Sequence, residues 1–132
     1  MSRREIREQV FKLLFRVEFN KPEDMPEQIQ LFFDDEVNAS EKDQTEISGK
    51  YEKIHEKIEE LDRMIDEKAV GWNTRRMGKV DLTLLRLAIF EINFDEEIPT
   101  SVAINEAVEL AKKFGQDESA AFINGVLAKF AV

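Results

Sequence analysis

From Val80 to Phe94, apolar residues stand at Val80, Leu82, Leu84, Leu85, Leu87, Ala88, Ile89, Phe90, Ile92 and Phe94. Wound at about 100° per residue they cover nearly the whole circumference of a helix, and a helix apolar all round belongs inside a bundle. Asp81, Arg86 and Glu91 interrupt the run well short of the roughly 20 uncharged residues a bilayer needs, so no membrane span is expected. After Pro99, which pushes Ile98 toward an extended conformation, Thr100 or Ser101 is placed to cap a second helix. Its apolar face is Ala103, Ile104, Ala107, Val108, Leu110, Ala111 and Phe114; Glu109 and Lys113 form a surface pair, and Gly115 is expected to close the helix in a left-handed conformation. Asp117 is the expected cap of a last helix with the stripe Ala120, Ile123, Val126, Leu127 and Phe130, in which Gly125 suggests close backbone packing.

Upstream, Ser2 and Glu5 form a capping box, so a helix begins almost at the first residue. It carries two stripes: an aliphatic one at Ile6, Val10, Leu13, Leu14 and Val17, and roughly opposite it Arg4, Arg7, Phe11, Phe15 and Phe19. Pro26 fits the first turn of a short helix presenting Ile29, Phe32, Phe33 and Val37 and ending in Asp34, Asp35 and Glu36. After a polar connection over 38–49, Ile47, Tyr51, Ile54, Ile58, Leu61 and Ile65 recur as a heptad seam, closed by Gly71. The seam suits a bundle helix; a homodimer contact is the alternative. Trp72 is expected in the core at a junction, and Asn73 to Gly78 reads as a linker whose Arg75 and Arg76 either extend a basic surface or bridge to the acidic helix.

The class is therefore all-α, about seven helices in one domain of 132 residues. Without cysteine there is no disulfide, thiolate metal site or cysteine nucleophile, and without an apolar leader a cytoplasmic location is expected. The net charge of −9 is uneven: residues 1–20 carry five basic and three acidic groups, residues 21–70 seven and sixteen. A basic cluster can therefore still hold phosphate within a screening length of about 8 to 10 Å.

Candidate chemistry is recognition rather than catalysis. His55, the only histidine, stands in Glu52-x-x-His55, but a di-iron carboxylate site needs a second such motif; no metal, cofactor or catalytic residue is expected. Arg86 on the buried helix calls for an acidic partner, with Glu106 or Glu91 as candidates, and Asp81 either caps its helix or faces a partner. Arg3 and Arg4 are poor choices for stability, because positive charge in a first helical turn opposes the helix dipole by about 0.3 to 1 kcal/mol per charge. Followed by aromatics, they suit phosphate contact and base or partner stacking. The structural alternative is a helix sandwiched in the fold with snorkelling arginines.

Trp72, Arg76, Val80-Asp81, Leu85-Arg86-Leu87-Ala88, Glu91, Ile98-Pro99, the run Val102 to Lys112, Phe114-Gly115, Phe122 and Asn124 to Leu127, with Arg3-Arg4-x-x-Arg7-Glu8 and Phe15 at the start, resemble the NusB family of bacterial transcription antitermination factors. The resemblance implies an all-α fold of two three-helix lobes, about 1–70 and 71–132, forming a single RNA-binding domain. It also implies a non-enzymatic role: binding the boxA element of nascent ribosomal RNA leader as single-stranded RNA together with NusE, a small-subunit ribosomal protein, within the RNA polymerase antitermination complex. Carried over position by position, it makes Arg3, Arg4, Arg7, Phe122 and Glu118 RNA-binding residues, and Phe15 and Asp81 residues facing NusE. Glu5, Glu8 and the absence of a basic tail before Val132 imply weak, partner-dependent RNA affinity. Two alternatives stay open: a protein-binding adaptor or homodimer without intrinsic RNA binding, and a stand-alone domain related to those of ribosomal RNA methyltransferases.

Overall fold

A computed structural model describes residues 1–131, without the side chain of Glu36; the far end of the expected C-terminal lobe, Val132, lies outside the described residues. Among them are seven α-helices and no strand: α1 (Arg3–Phe15), α2 (Met25–Leu31), α3 (Glu41–Glu56), α4 (Ile58–Lys68), α5 (Lys79–Phe94), α6 (Thr100–Phe114) and α7 (Ser119–Ala128). No helix among them is long and apolar enough to cross a membrane. The chain divides into two compact units after Glu56, so the boundary falls earlier than the expected 70. The first holds three α-helices and the second four.

The boundary lies inside the heptad seam, which the sequence presents as one helix. Ile47, Tyr51 and Ile54 on α3 are buried in the first unit, where α3 packs on α1, whereas Leu61 and Ile65 on α4 are buried in the second, where α4 packs on α5. Between them Lys57 leaves helical geometry (φ −107°, ψ 7°), and Ile58 is only half-buried. In the second unit Leu61 N–H donates to the Lys57 carbonyl (2.8 Å), opening α4.

In the first unit the capping box forms as expected: Glu5 N–H donates to Ser2 Oγ (3.1 Å) and Ser2 N–H to Glu5 Oε1 (3.1 Å). Ile6, Val10, Leu13 and Leu14 are buried along α1. Ser40 caps α3, its Oγ accepting from Asp43 N–H (3.1 Å), so most of the expected polar connection is helical. A π-helical turn, Phe32–Glu36, follows α2, and Arg16 ties the two together, donating to Gln28 Oε1 (3.0 Å) while lying over the buried Phe32 ring.

In the second unit α5 is buried at every position from Leu82 to Glu91 and packs on α4, α6 and α7. Each fully buried leucine or isoleucine contributes about 1.5 to 3 kcal/mol relative to exposure, which makes this helix the core of its unit. Thr83 fits there because its hydroxyl donates to the Lys79 carbonyl (2.7 Å). Arg86 is paired with Asp62 of α4, an acidic partner beyond the two candidates expected from sequence. Where α4 and α7 end, two lysines cap reciprocally: Lys68 Nζ donates to the Lys129 carbonyl (3.1 Å) and Lys129 Nζ to the Lys68 carbonyl (2.9 Å), each at the negative end of a helix dipole.

Several local expectations are corrected. None of Thr100, Ser101 and Asp117 caps a helix: Pro99 and Glu118 occupy the cap positions, and the Ser119 hydroxyl instead accepts from Gln116 N–H (3.0 Å). Gly115 is extended (φ −92°, ψ −170°), and glycine is needed there for space, since a Cβ would come within 2.6 Å of Ser119 Cβ and 2.8 Å of the Ala111 carbonyl oxygen. Gly71 is the left-handed residue (φ 82°), closing α4 as expected. Gly125 faces open space rather than close packing. The surface pair on α6 joins Glu109 to Lys112 (3.4 Å).

Candidate nucleic-acid interface

The candidate residues of the first unit stand on α1, and its capped start determines which of them face outward. Arg3 and Arg4 in the first turn are exposed, whereas Arg7, one turn on, is only 8% exposed and does not share their accessibility. The Arg3 guanidinium meets the Glu46 carboxylate of α3, and each holds the other in its charged form: the arginine is raised, and the glutamate lowered, from its ordinary pKa by their mutual hydrogen bond. Glu5, which dilutes the basic cluster in the sequence, is committed to the Ser2 cap, and the hydrogen bonds from Ser2 hold its carboxyl below the usual range. Glu8 reaches Lys12 (3.5 Å).

Further along α1 the aromatic stripe becomes a ring ladder. Phe11 is buried, Phe15 is half-buried and stacks on it (centroids 5.9 Å), and Phe19 meets Phe15 edge-on (5.0 Å) while 60% exposed. The 3₁₀ turn Arg16–Phe19 that follows α1 keeps the four-residue spacing on one side. The expected partner-facing Phe15 thus sits between a core ring and an exposed one.

The second unit gathers three candidates into one cleft of about 600 Å³: Asp81 from the first turn of α5, and Glu118 and Phe122 at the start of α7. Trp72, Met77, Lys79 and Phe114 are among its other walls. Trp72 is corrected here from core to surface: it is 51% exposed and meets Phe122 edge to face (5.5 Å, 66°). The left-handed Gly71 turns the chain out of α4, and Thr74 N–H, held by Asp66 Oδ1 (2.8 Å), pins the turn so that the indole lies on the cleft. Arg75 and Arg76 on the same turn are exposed. Asp81 makes no capping bond, and its Oδ1 is buried without a hydrogen-bond partner. An unsatisfied buried acceptor of this kind costs about 1 to 3 kcal/mol, a cost that a donor brought by a bound partner removes. Trp72 is the residue the sequence reading missed; the available signal was its place between a helix-closing glycine and a polar, arginine-bearing turn.

The first unit thus presents exposed guanidinium groups and an exposed ring ladder, and the second an aromatic-walled cleft with an unsatisfied carboxylate oxygen. The NusB family model matches residues 4–132. The transcription antitermination protein NusB of Agathobacter rectalis is 56% identical over 131 residues, covering 99% of this chain and all of that one. Among solved structures, NusB of T. maritima superposes with a TM-score of 0.84 at 32% identity, over 99% of this chain and 91% of that one. A structure of the antitermination factors NusB and NusE in complex with double-stranded RNA shares the fold, with a TM-score of 0.80 at 21% identity, over 98% of this chain and 95% of that one. With a capped arginine-bearing first helix, an all-round buried α5 and a match along nearly its whole length, the chain belongs to the NusB family.

Proposed function

We propose that this chain is a transcription antitermination factor that binds boxA-type single-stranded RNA of nascent ribosomal RNA leaders together with NusE, within the RNA polymerase antitermination complex. The role is recognition without a catalytic step, and it is exercised in the cytoplasm on an RNA still being made. The observation that carries the reading is the exposure of Arg3 and Arg4 in a first helical turn, where their charge opposes the dipole and serves stability poorly. The related protein seen with NusE and RNA makes this pair of partners the natural one to test.

In this mechanism Arg3 and Arg4 neutralise phosphates, and Arg7, buried a turn behind them, adds positive potential. Phe122, with Trp72 edge-on beside it, receives an unstacked base at the cleft, and Glu118 on the cleft wall keeps phosphate away from that pocket by like-charge repulsion. Phe15, backed by exposed Phe19, meets an apolar surface of NusE, and the unsatisfied Asp81 Oδ1 accepts a hydrogen bond from it. With two or three phosphates neutralised, affinity should fall with salt by a slope of about −0.7 per contact.

The test is fluorescence anisotropy of a labelled boxA-type RNA titrated with this protein, alone and with NusE, beside an Arg3→Ala/Arg4→Ala variant. That variant removes two charges that oppose the α1 dipole and gives up only an exposed ion pair, so its fold should persist, as circular dichroism checks. Tighter binding with NusE, lost in the variant, supports the reading. Equal binding by both proteins overturns the assignment of RNA contact to Arg3 and Arg4; no binding at low salt overturns the RNA role and leaves a protein adaptor built on the Phe15–Phe19 surface.

A further inference from the structure

On α3, Glu46 stands against Arg3 in the first turn of α1. Three observations define the contact. The Arg3 guanidinium is in ion-pair contact with the Glu46 carboxylate, although Arg3 remains 74% exposed and Glu46 33%. Asp43, one turn before Glu46 on α3, adds a second negative field at Arg3 and is itself bonded to the Met1 amino group (3.1 Å). Glu5, the acid nearest in sequence, is engaged on the Ser2 backbone N–H. The first turn of α1 is thus clamped from α3 by carboxylates that present oxygens to a guanidinium much as a phosphodiester does.

We infer that Glu46 is an internal competitor for RNA: its carboxylate occupies the Arg3 guanidinium in the free protein and must be displaced before Arg3 can engage a phosphate. The inference rests on the RNA-binding role proposed for Arg3. Its physical content is an exchange of one charge-assisted contact for another. Arg3 therefore contributes less net affinity than an unpaired arginine, and a lone phosphate gains little from it. A strand placed by contacts elsewhere on the protein bears the exchange more easily, so the clamp favours an RNA already bound at a second site over random polyanion. Because an exposed ion pair is weak and screened by solvent, the competition corresponds to a factor of up to about 5 in affinity.

The experiment is a double-mutant cycle on RNA affinity with Glu46→Gln, Arg3→Ala and the combined variant, using the labelled boxA-type RNA with NusE present and folding checked by circular dichroism. Gln keeps the shape of Glu46 and removes its charge. The expected result is that Glu46→Gln tightens binding about 2- to 5-fold at low salt, that the gain shrinks as salt rises, and that it vanishes in the Arg3→Ala background. A gain that persists without Arg3 is a long-range field effect and overturns the inference. Weaker binding by Glu46→Gln shows that Glu46 orients Arg3 for RNA and also overturns it. If the wild type binds RNA, Arg3→Ala weakens it and Glu46→Gln changes nothing, the competitor role alone fails; if no protein in the cycle binds RNA, the function proposed for Arg3 fails first and takes this inference with it.

Discussion

Arg86 and Asp62 lock α5 to α4 through a fork: Arg86 Nε donates to Asp62 Oδ1 and Nη2 to Oδ2, both at 2.8 Å. The arginine side chain is 7% exposed and the aspartate 24%, so a planar bidentate pair sits at the edge of the core with one carboxylate flank in water. The pair joins residues 24 apart in sequence and fixes the register of the two helices.

Removing the carboxylate leaves a guanidinium buried beside the core. Asp62→Ala should therefore destabilise the protein by about 3 kcal/mol, near the low end for a buried pair because Asp62 is partly hydrated. The double variant Asp62→Leu/Arg86→Met should recover part of that loss, because the guanidinium leaves together with its Asp62 carboxylate. Urea unfolding measures both; equal loss in the single and double variants would show that the pair stabilises through packing alone.

Three glycines are expected to respond differently to the same substitution. Gly115→Ala places a Cβ against Ser119 and the Ala111 carbonyl and should cost about 1 to 3 kcal/mol, part of it regained with Ser119→Ala. Gly71→Ala has open space but a φ of 82°, so it should cost about 1 kcal/mol from backbone conformation. Gly125→Ala, in open space on α7, should stabilise by up to about 1 kcal/mol. Thermal melts of the three variants test the order, and a destabilised Gly125→Ala would contradict it.

Tyr51 is the only tyrosine, and burial raises its phenol to about 12. An unfolded tyrosine titrates near 10, so between those values the folded chain holds the proton and the unfolded one releases it. Stability is unaffected by this group below about pH 10 and declines as pH rises toward 12. Tyrosinate absorbance of the native protein should appear only near 12 or on unfolding, and Tyr51→Phe should flatten the alkaline fall in melting temperature. A native titration near 10 would mean that the ring is open to water.

Trp72, the only tryptophan, reports directly on the cleft. Its emission should change when RNA binds, and Trp72→Ala should weaken binding by about 1 to 3 kcal/mol while costing about 1 kcal/mol or less in stability, the worth of the edge contact with Phe122. Unchanged affinity, with a large loss of stability, would return Trp72 to a structural role.

Much of this molecule was legible in the order of its residues. The all-round apolar run on α5, the Ser2–Glu5 cap, the aliphatic stripe of α1 and the exposed first-turn arginines follow from periodicity and cap chemistry, which act over one or two helical turns and are written locally. The resemblance carried by residues 72 to 127 and by the first helix pointed to the family that the comparisons show. What the chain order left open was which partner each residue meets across the fold. Heptad spacing is blind to whether one helix serves one core or two, and only packing divides the seam at Lys57 between α1 and α5. A buried arginine demands a carboxylate but does not name it, and Asp62 was chosen by the approach of α4 to α5. Trp72 stands outside because Gly71 turns the chain away from the core, Arg7 is covered while Arg3 and Arg4 are not, and Asp81, Glu118 and Phe122 share a cleft because α5 and α7 pack together. Patterning fixes which face of a helix is buried; contacts between residues far apart in sequence depend on how those faces dock, and that is decided only when the whole core closes.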